Sequence, residues 1–545
     1  MKLEQSSFLT HWRELSEFVK PRRGRFDVRD VNKGTKKHAF IINSHATQAH
    51  NIAQAGMFAG IMSPARPWFS LAVEDTDLMQ SQRVKIWLKQ VEKVIRGIFN
   101  NSNLYTMAPT LIGEALLFGT GAMSHVDDDE KVARFYTHTV GSYMVAQNDK
   151  FETDTFAREY MMTAAQMAQD FGIDNLSVEV KRAISTGALG SWFPVVQFIE
   201  PNDDFRPRSP LSKHKPFSSV RFEPGRREKH EFLSVSGFDE FPVYVPRWAV
   251  TGEDIYGTDC PGMVTLGDVK QLQIEEKRKA QAIDKKVNPP LGGPASLRNT
   301  TVSSLPGGLV LYDGDPTRNR LEPIYQVNLD LRDLKEDIEG VQRRIDTGYF
   351  VDLFLAISNM EGIQPRNQLE LSERNAERLL QLGPVLERMH GDFLGKTIER
   401  TFNQADRRGM IPPPPPELEE GSDLKVEYIS SLAQAQRAVD TRGIERLSEY
   451  TAGLVGAGLS DGKKFNADKA VTEYASLIGT PPELIAPDDE IAQAREEEKQ
   501  VAQRAQQMEM LEQGARAAAA AGQVDLDANT PVAAGIDNIN AQQGE

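Results

Sequence analysis

GDVKQLQIEEKRKAQAIDKKV, residues 267–287, sets the architecture around which the rest of the chain falls into place. Asp268 stands near its start, Lys285 and Lys286 stand at its end, and both ends complement the helix macrodipole. Pro289 and Pro290 then stop it. At about 1.5 Å per residue such a helix reaches roughly 30 Å. A second long helix is expected over 329–357, carried by DLRDLKEDIEGVQRRIDTGYFVDLFLAI from Asp330 to Ile357. Residues 291–325 lie between the two, rich in Gly and Pro with a few apolar pairs, and read as a small β-rich insert. Two long helices joined by a compact insert form an αα-hairpin with a head.

The two helices have opposite charge bias. The first carries four acids against six bases, the second seven acids against four bases. Helices biased in this way can pair with each other or across adjacent subunits.

On the N-terminal side, apolar residues from Leu3 to Val19 recur at mostly helical spacing until Pro21 stops them. A small-residue helix is expected over 40–62, where small side chains permit close packing, and Pro64 and Pro67 end it. Two amphipathic helices follow at 78–99 and 103–118. From Gly119 the pattern changes to two short strands around the acidic turn Asp127–Glu130. Further strands are expected at 142–147, 155–160, 192–199, 219–222, 230–236 and 242–245, with a helix at 163–171. On the C-terminal side a third long helix is expected over 369–407, kinked by Pro384. Five prolines at 412–416 make a stiff spacer. A helical domain at 424–485 and a Gln-, Glu- and Ala-rich tail, its last ~25 residues expected to be disordered, complete the chain. The fold class is α+β, mainly helical.

Composition excludes several classes. A chain of 545 residues exceeds one ordinary core, so two to four domains or subdomains are expected. No run approaches the ~20 apolar residues of a membrane span. A single cysteine, Cys260, excludes a disulfide scaffold and a multi-thiolate metal site. The start, MKLEQSSFLTHWREL, places charges where an export signal would carry its apolar stretch, so a soluble protein made inside the cell is expected. The net charge is −15, of which residues 411–545, with 24 acids and 11 bases, supply −13. The first 410 residues therefore carry only −2, a near-neutral balance unlike that of a protein that grips nucleic acid by neutralising phosphates, though a channel in which DNA slides does not need such clustered cations.

Reaction chemistry is missing. GAGLSDGKK, residues 456–464, has Ala457 and Lys464 where a phosphate-binding loop needs Gly and Ser or Thr. No GxGxxG, HExxH or GxSxG occurs. His45 and His50 are five residues apart, a poor spacing for two ligands on one helix face, and His45 reads as a polar packing residue. Cys260 reads as a buried small residue. Asp127 to Glu130 could attract a divalent cation, but hairpin turns favour Asp for backbone reasons. No catalytic residue, cofactor or metal site is expected.

The stretch from Asn43 to Phe69, ending Gly60-Ile61-Met62-Ser63-Pro64-Ala65-Arg66-Pro67-Trp68-Phe69, resembles the head-to-tail connecting (portal) proteins of short-tailed bacteriophages. Collinear stretches agree. They are Gly119–Ala122, Arg158–Gln166 running into Phe171-Gly172, Asp284–Leu291, Pro306–Leu309, Phe350–Phe354, Leu382–Leu386 and the proline run. The resemblance covers roughly residues 5–485; the acidic tail has no counterpart in it. It implies a ring, typically of twelve subunits, at one capsid vertex of the virion, assembled in the host cytoplasm. Double-stranded genome DNA enters and leaves through such a ring. Its implied partners are the large terminase subunit, a tail adaptor, scaffold and the major capsid protein, with no membrane.

In that picture residues 1–262 are the N-terminal helices and wing, 263–290 and 327–357 the stem helices, and 291–326 the clip. Residues 358–370 form the tunnel loop, 371–410 the kinked wing helix, 411–487 the crown and 488–545 the tail. Asn359, Gln364, Arg366 and Asn367 are the candidates to face DNA. Arg298, Arg318 and Arg320 are the candidates to meet the packaging motor or tail adaptor. Lys277 and Arg278, with Asp333 and Asp337, are the candidates for pairing between subunits, setting register more than stability. Two other readings compete: a different neck or tail ring of the virion, and a metal-dependent nucleic-acid enzyme built on Asp127–Glu130.

Overall fold

A computed structural model describes residues 1–26, 36–73, 75, 78–226, 232–287, 291–292, 322–323, 332–359, 381–418, 424–429, 431–457 and 464–467, with isolated positions from 469 to 510. The chain divides into two compact units, Met1–Val439 and Asp440–Glu545.

The first unit opens with helix α1 (Lys2–Val19), whose buried Trp12 and Leu15 face the core. The Trp12 indole N–H donates to the Phe118 carbonyl (3.1 Å). Helix α2 (His45–Met62) starts five residues later than the small-residue pattern suggests. Strand β1 (Phe69–Val73) follows the Pro-Trp turn. Helices α3 (Gln82–Asn101) and α4 (Leu104–Phe118) then lie close to their expected bounds. Gly119 caps α4 in the left-handed conformation (φ +79°) and approaches the backbone of Gly257 too closely for a side chain.

The expected hairpin is present as β2 (Ala122–Asp128) and β3 (Val132–His138), antiparallel from Ala122↔His138 to Asp128↔Val132. Beyond it lie β4 (Tyr143–Gln147), β5 (Thr153–Thr163), α5 (Ala164–Phe171), α6 (Val178–Ser185) and β6 (Trp192–Pro201). Strands β7 (Phe217–Phe222), β8 (Phe232–Phe238) and β9 (Val243–Tyr244) complete the region. β4 to β8 form one five-stranded antiparallel sheet in chain order, and β9 joins the hairpin at β2. Helices α5 and α6 cover a small separate core of Met162, Met167, Phe171, Leu176, Val180, Val195 and Leu233.

Helix α7 (Pro261–Val287) begins six residues before the expected start at Gly267. β10 (Leu291–Gly292) pairs antiparallel with β11 (Glu322–Pro323), closing the base of the insert. The second long helix is interrupted. α8 (Arg332–Gly348) and α9 (Val351–Asn359) are separated at Tyr349-Phe350, with Phe350 in the left-handed region (φ +55°). Tyr349, Val351, Leu353 and Phe354, on either side of Phe350, are all buried.

A helix over 381–389 continues into a π-helical turn (His390–Gly395) and then α10 (Lys396–Arg407). The departure from α geometry therefore falls beyond Pro384, and residues 369–380 of the expected helix lie outside the described residues. Strand β12 (Leu424–Tyr428) stands where the start of a helical domain was expected. It pairs antiparallel with β1, Phe69↔Tyr428 to Val73↔Leu424. Helix α11 (Ser431–Gly456) follows. In the second unit the Tyr474 hydroxyl donates to Glu445 (2.8 Å).

Candidate functional site

Helices α7 and α8 pack antiparallel through Val269, Leu272, Ile338, Val341 and Ile345, all buried. One charged pair crosses the exposed edge of this seam. Arg344 Nε donates to Asp268 Oδ1 (2.7 Å) and Arg344 Nη2 to Gln271 (3.3 Å). The hydrogen bond it donates to Asp268 holds the Arg344 guanidinium above its ordinary pKa, with attraction from Asp268, Asp337 and Glu275 added.

The chain entering α2 clasps both helices. Gln273, buried on α7, accepts from the backbone N–H of Ile42 (2.7 Å) and Asn43 (2.8 Å) and donates to the Asn43 carbonyl (3.0 Å). The Asn43 side chain donates to Glu276 (3.0 Å). His45 Nε2 lies 2.9 Å from Asp346 on α8. His45 is thus more than packing: with Asn43 it fixes the small-residue helix to the two long ones. Sequence reasoning missed this clasp, because 230 and 301 residues separate its partners and no local pattern reports such a contact.

The four pairing candidates lie on these helices with exposed side chains. Among the described residues none of Lys277, Arg278, Asp333 and Asp337 forms an ion pair, and the pair within the chain is Asp268–Arg344 instead. Asn359 is the last residue of α9. Gln364, Arg366 and Asn367, and Arg298, Arg318 and Arg320, lie outside the described residues.

The acidic turn is built as a turn. Asp128 accepts from the backbone of Glu130 (3.0 Å) and Lys131 (2.8 Å) and from the Arg134 side chain, and these bonds hold its carboxyl down at about 2. Among the described residues no group of three or more His, Cys, Asp or Glu is arranged to hold a metal ion. Cys260 is buried, its thiol donates to the Leu117 carbonyl (3.3 Å), and burial pushes it up to about 12. Such a thiol is a packing group and a poor nucleophile. No helix among the described residues is long and apolar enough to cross a membrane.

A second polar centre ties the hairpin to the far end of the unit. His125 is fully buried, with Nδ1 accepting from the Tyr244 hydroxyl (2.6 Å) and Nε2 donating to Gln404 (2.8 Å). Desolvation, then the nearby Arg400 cation, hold His125 well below the ordinary imidazole pKa. Arg400 in turn donates to the Glu240 carbonyl (2.9 Å). This is a structural brace joining β2, β9 and α10.

A family model of the bacteriophage head to tail connecting proteins matches residues 1–485. The chain belongs to that family. The portal protein of Salmonella phage epsilon15 is 41% identical over 525 residues, 95% of this chain and 93% of that one. The probable portal protein of Bordetella phage BPP-1 is 41% identical over 526 residues, 96% of this chain and 94% of that one. Among solved structures, a chain from the neck of an empty gene transfer agent particle aligns with 85% of this chain and 98% of its own. Its TM-score is 0.37 at 13% identity. A head-to-tail connector is a structural protein, not an enzyme.

Proposed function

We propose that this connector is the portal at one capsid vertex of a short-tailed phage virion, a ring whose lumen passes double-stranded DNA during packaging and ejection. The observation that carries the ring is the α7–α8 pair. Its apolar seam and the Asp268–Arg344 bond are satisfied within one chain, while Lys277, Arg278, Asp333 and Asp337 stand exposed on the same two helices. Repeated around an axis, the basic stretch of one pair faces the acidic stretch of the next and fixes register. Twelve copies is the number the family resemblance implies.

In this reading α7, α8 and α9 form the stem, the insert between β10 and β11 the clip, and the segment after α9 the tunnel loop. Asn359, Gln364, Arg366 and Asn367 contact passing DNA. The lumen gives DNA few fixed cations, and few released counterions mean little drag. Arg298, Arg318 and Arg320 meet the large terminase subunit and then the tail adaptor, while scaffold and the major capsid protein bind the outer rim. Assembly takes place in the host cytoplasm and needs no membrane or cofactor. Size-exclusion chromatography with light scattering, followed by negative-stain imaging, tests the ring; purified protein that stays a single subunit under assembly conditions sinks it. Arg366→Gln is expected to change packaging or genome retention while rings still form.

A further inference from the structure

A cleft of about 720 Å³ opens between α1, the arm that follows it and the β4–β5–β6 face of the sheet. Its charged lining is Lys2, Arg13, Arg25, Arg158 and Glu159, four cations against one carboxylate, and Glu159 already pairs with Lys2 (3.2 Å). Arg13 lies over the Phe26 ring (5.6 Å), and Arg158 over Tyr160 (4.1 Å). Arg158 also donates to His138 Nδ1 (3.3 Å), and its Nε is buried without a hydrogen-bond partner. Among the described residues none of these three arginines has a carboxylate partner. Arg158 is half-buried and a guanidinium held there without an anion is costly, while Arg13 and Arg25 add exposed cations around it, so the cleft favours an anionic occupant.

The chain carries one protruding group of that chemistry. At the tip of the β2–β3 hairpin Asp127, Asp129 and Glu130 are exposed, and among the described residues none is ion-paired. The same hairpin lines the cleft at its other end through Thr137, His138 and Thr139. Strands of this length, at about 3.4 Å per residue, hold the tip roughly 20 Å from the chain's own cleft. The tip therefore cannot fill the cleft of its own chain. Two complementary, non-overlapping patches on one subunit make a head-to-tail contact, the kind that closes into a ring. We propose that the Asp127–Glu130 tip of one subunit seats in the Arg13–Arg25–Arg158 cleft of the next. This rests on the ring reading above and adds to it a specific wing-level contact, separate from the paired stem helices.

The test uses the full chain with Arg13→Glu/Arg25→Glu, Asp127→Lys/Asp129→Lys, and the four changes combined. Each double reversal is expected to lower the ring fraction at least tenfold, and the combination to restore it to within twofold. Circular dichroism checks that each variant folds. A second variant, Arg25→Cys with Asp129→Cys, is expected to give a ladder of covalent multiples on oxidation, because the native Cys260 is buried and gives little background. Wild-type rings with unaffected reversals, no restoration in the combination, or no ladder overturns the proposal. Intact rings whose binding to duplex DNA falls tenfold in the arginine variant also overturn it, since the cleft would then hold phosphates. A wild type that never oligomerises overturns the ring reading itself, and this contact with it.

Discussion

Asp268 and Arg344 meet at 2.7 Å across the α7–α8 seam, at the exposed edge of a contact whose buried centre holds Val269, Leu272, Val341 and Ile345. Arg344 is half exposed, so solvent screens the pair and it contributes little to stability. Its neighbour Ile345 is fully buried in the same seam. Ile345→Ala is expected to cost about 2–5 kcal/mol by urea denaturation, whereas Arg344→Ala leaves the midpoint nearly unmoved. A large effect at Arg344 with a small one at Ile345 would show that charge, not packing, holds the helix pair.

The brace at His125 makes a different forecast. Tyr244→Phe removes the donor to Nδ1, and Gln404→Leu removes the acceptor for Nε2. Each leaves a buried imidazole nitrogen unsatisfied, so each is expected to cost about 1–3 kcal/mol. The two changes share one ring, so their effects should fall short of adding in a double-mutant cycle. Simple additivity in equilibrium denaturation would mean that they act separately.

Close packing of α2 is testable through its glycines. A Cβ on Gly56 would lie 2.4 Å from Phe354 Cβ on α9, whereas one on Gly267 in α7 meets nothing within 4 Å. Gly56→Ala is expected to cost about 1–3 kcal/mol through overpacking. Gly267→Ala should stabilise by about 0.5–1 kcal/mol by stiffening an exposed helical position. Thermal melts of the two variants should move in opposite directions.

These positions also show what the amino-acid order makes legible. Local periodicity places α1, α3, α4 and the β2–β3 hairpin, because their apolar residues recur at helix or strand spacing whichever segment later covers them. The break at Tyr349-Phe350 is not legible, since the apolar spacing runs through it and only packing makes Phe350 adopt a left-handed conformation. β12 is hidden for a similar reason. Five residues, LKVEY, gain their strand character from pairing with β1 more than 350 residues earlier, between Val73 and Leu424. Of the site, the two long helices and their charge bias are visible in the sequence. The Gln273–Asn43 and His45–Asp346 clasp is not, because hydrogen bonds between distant segments leave no spacing to find.

Buried titratable groups set opposing pH trends, and one substitution separates them. Burial, and then the Arg158 cation, hold His138 down at about 3, while burial holds His50 at about 4. Unfolded, both take up protons near 6.5, so the stability they contribute is present above pH 6.5 and is lost as pH falls towards 4. Glu114 behaves oppositely. Burial pushes its carboxyl up to about 7, against the Arg23 guanidinium at 3.5 Å and the Val140 N–H. The folded chain therefore binds this proton more tightly than the unfolded one, and the corresponding stability, present below pH 4.5, is lost as pH rises through 7. Glu114→Gln removes only the second trend. Relative to wild type it is expected to gain up to about 3 kcal/mol between pH 4.5 and pH 8. Urea denaturation of both proteins at half-unit pH steps measures the difference. A flat difference across that range would mean that Glu114 keeps an ordinary carboxylate pKa in the folded chain.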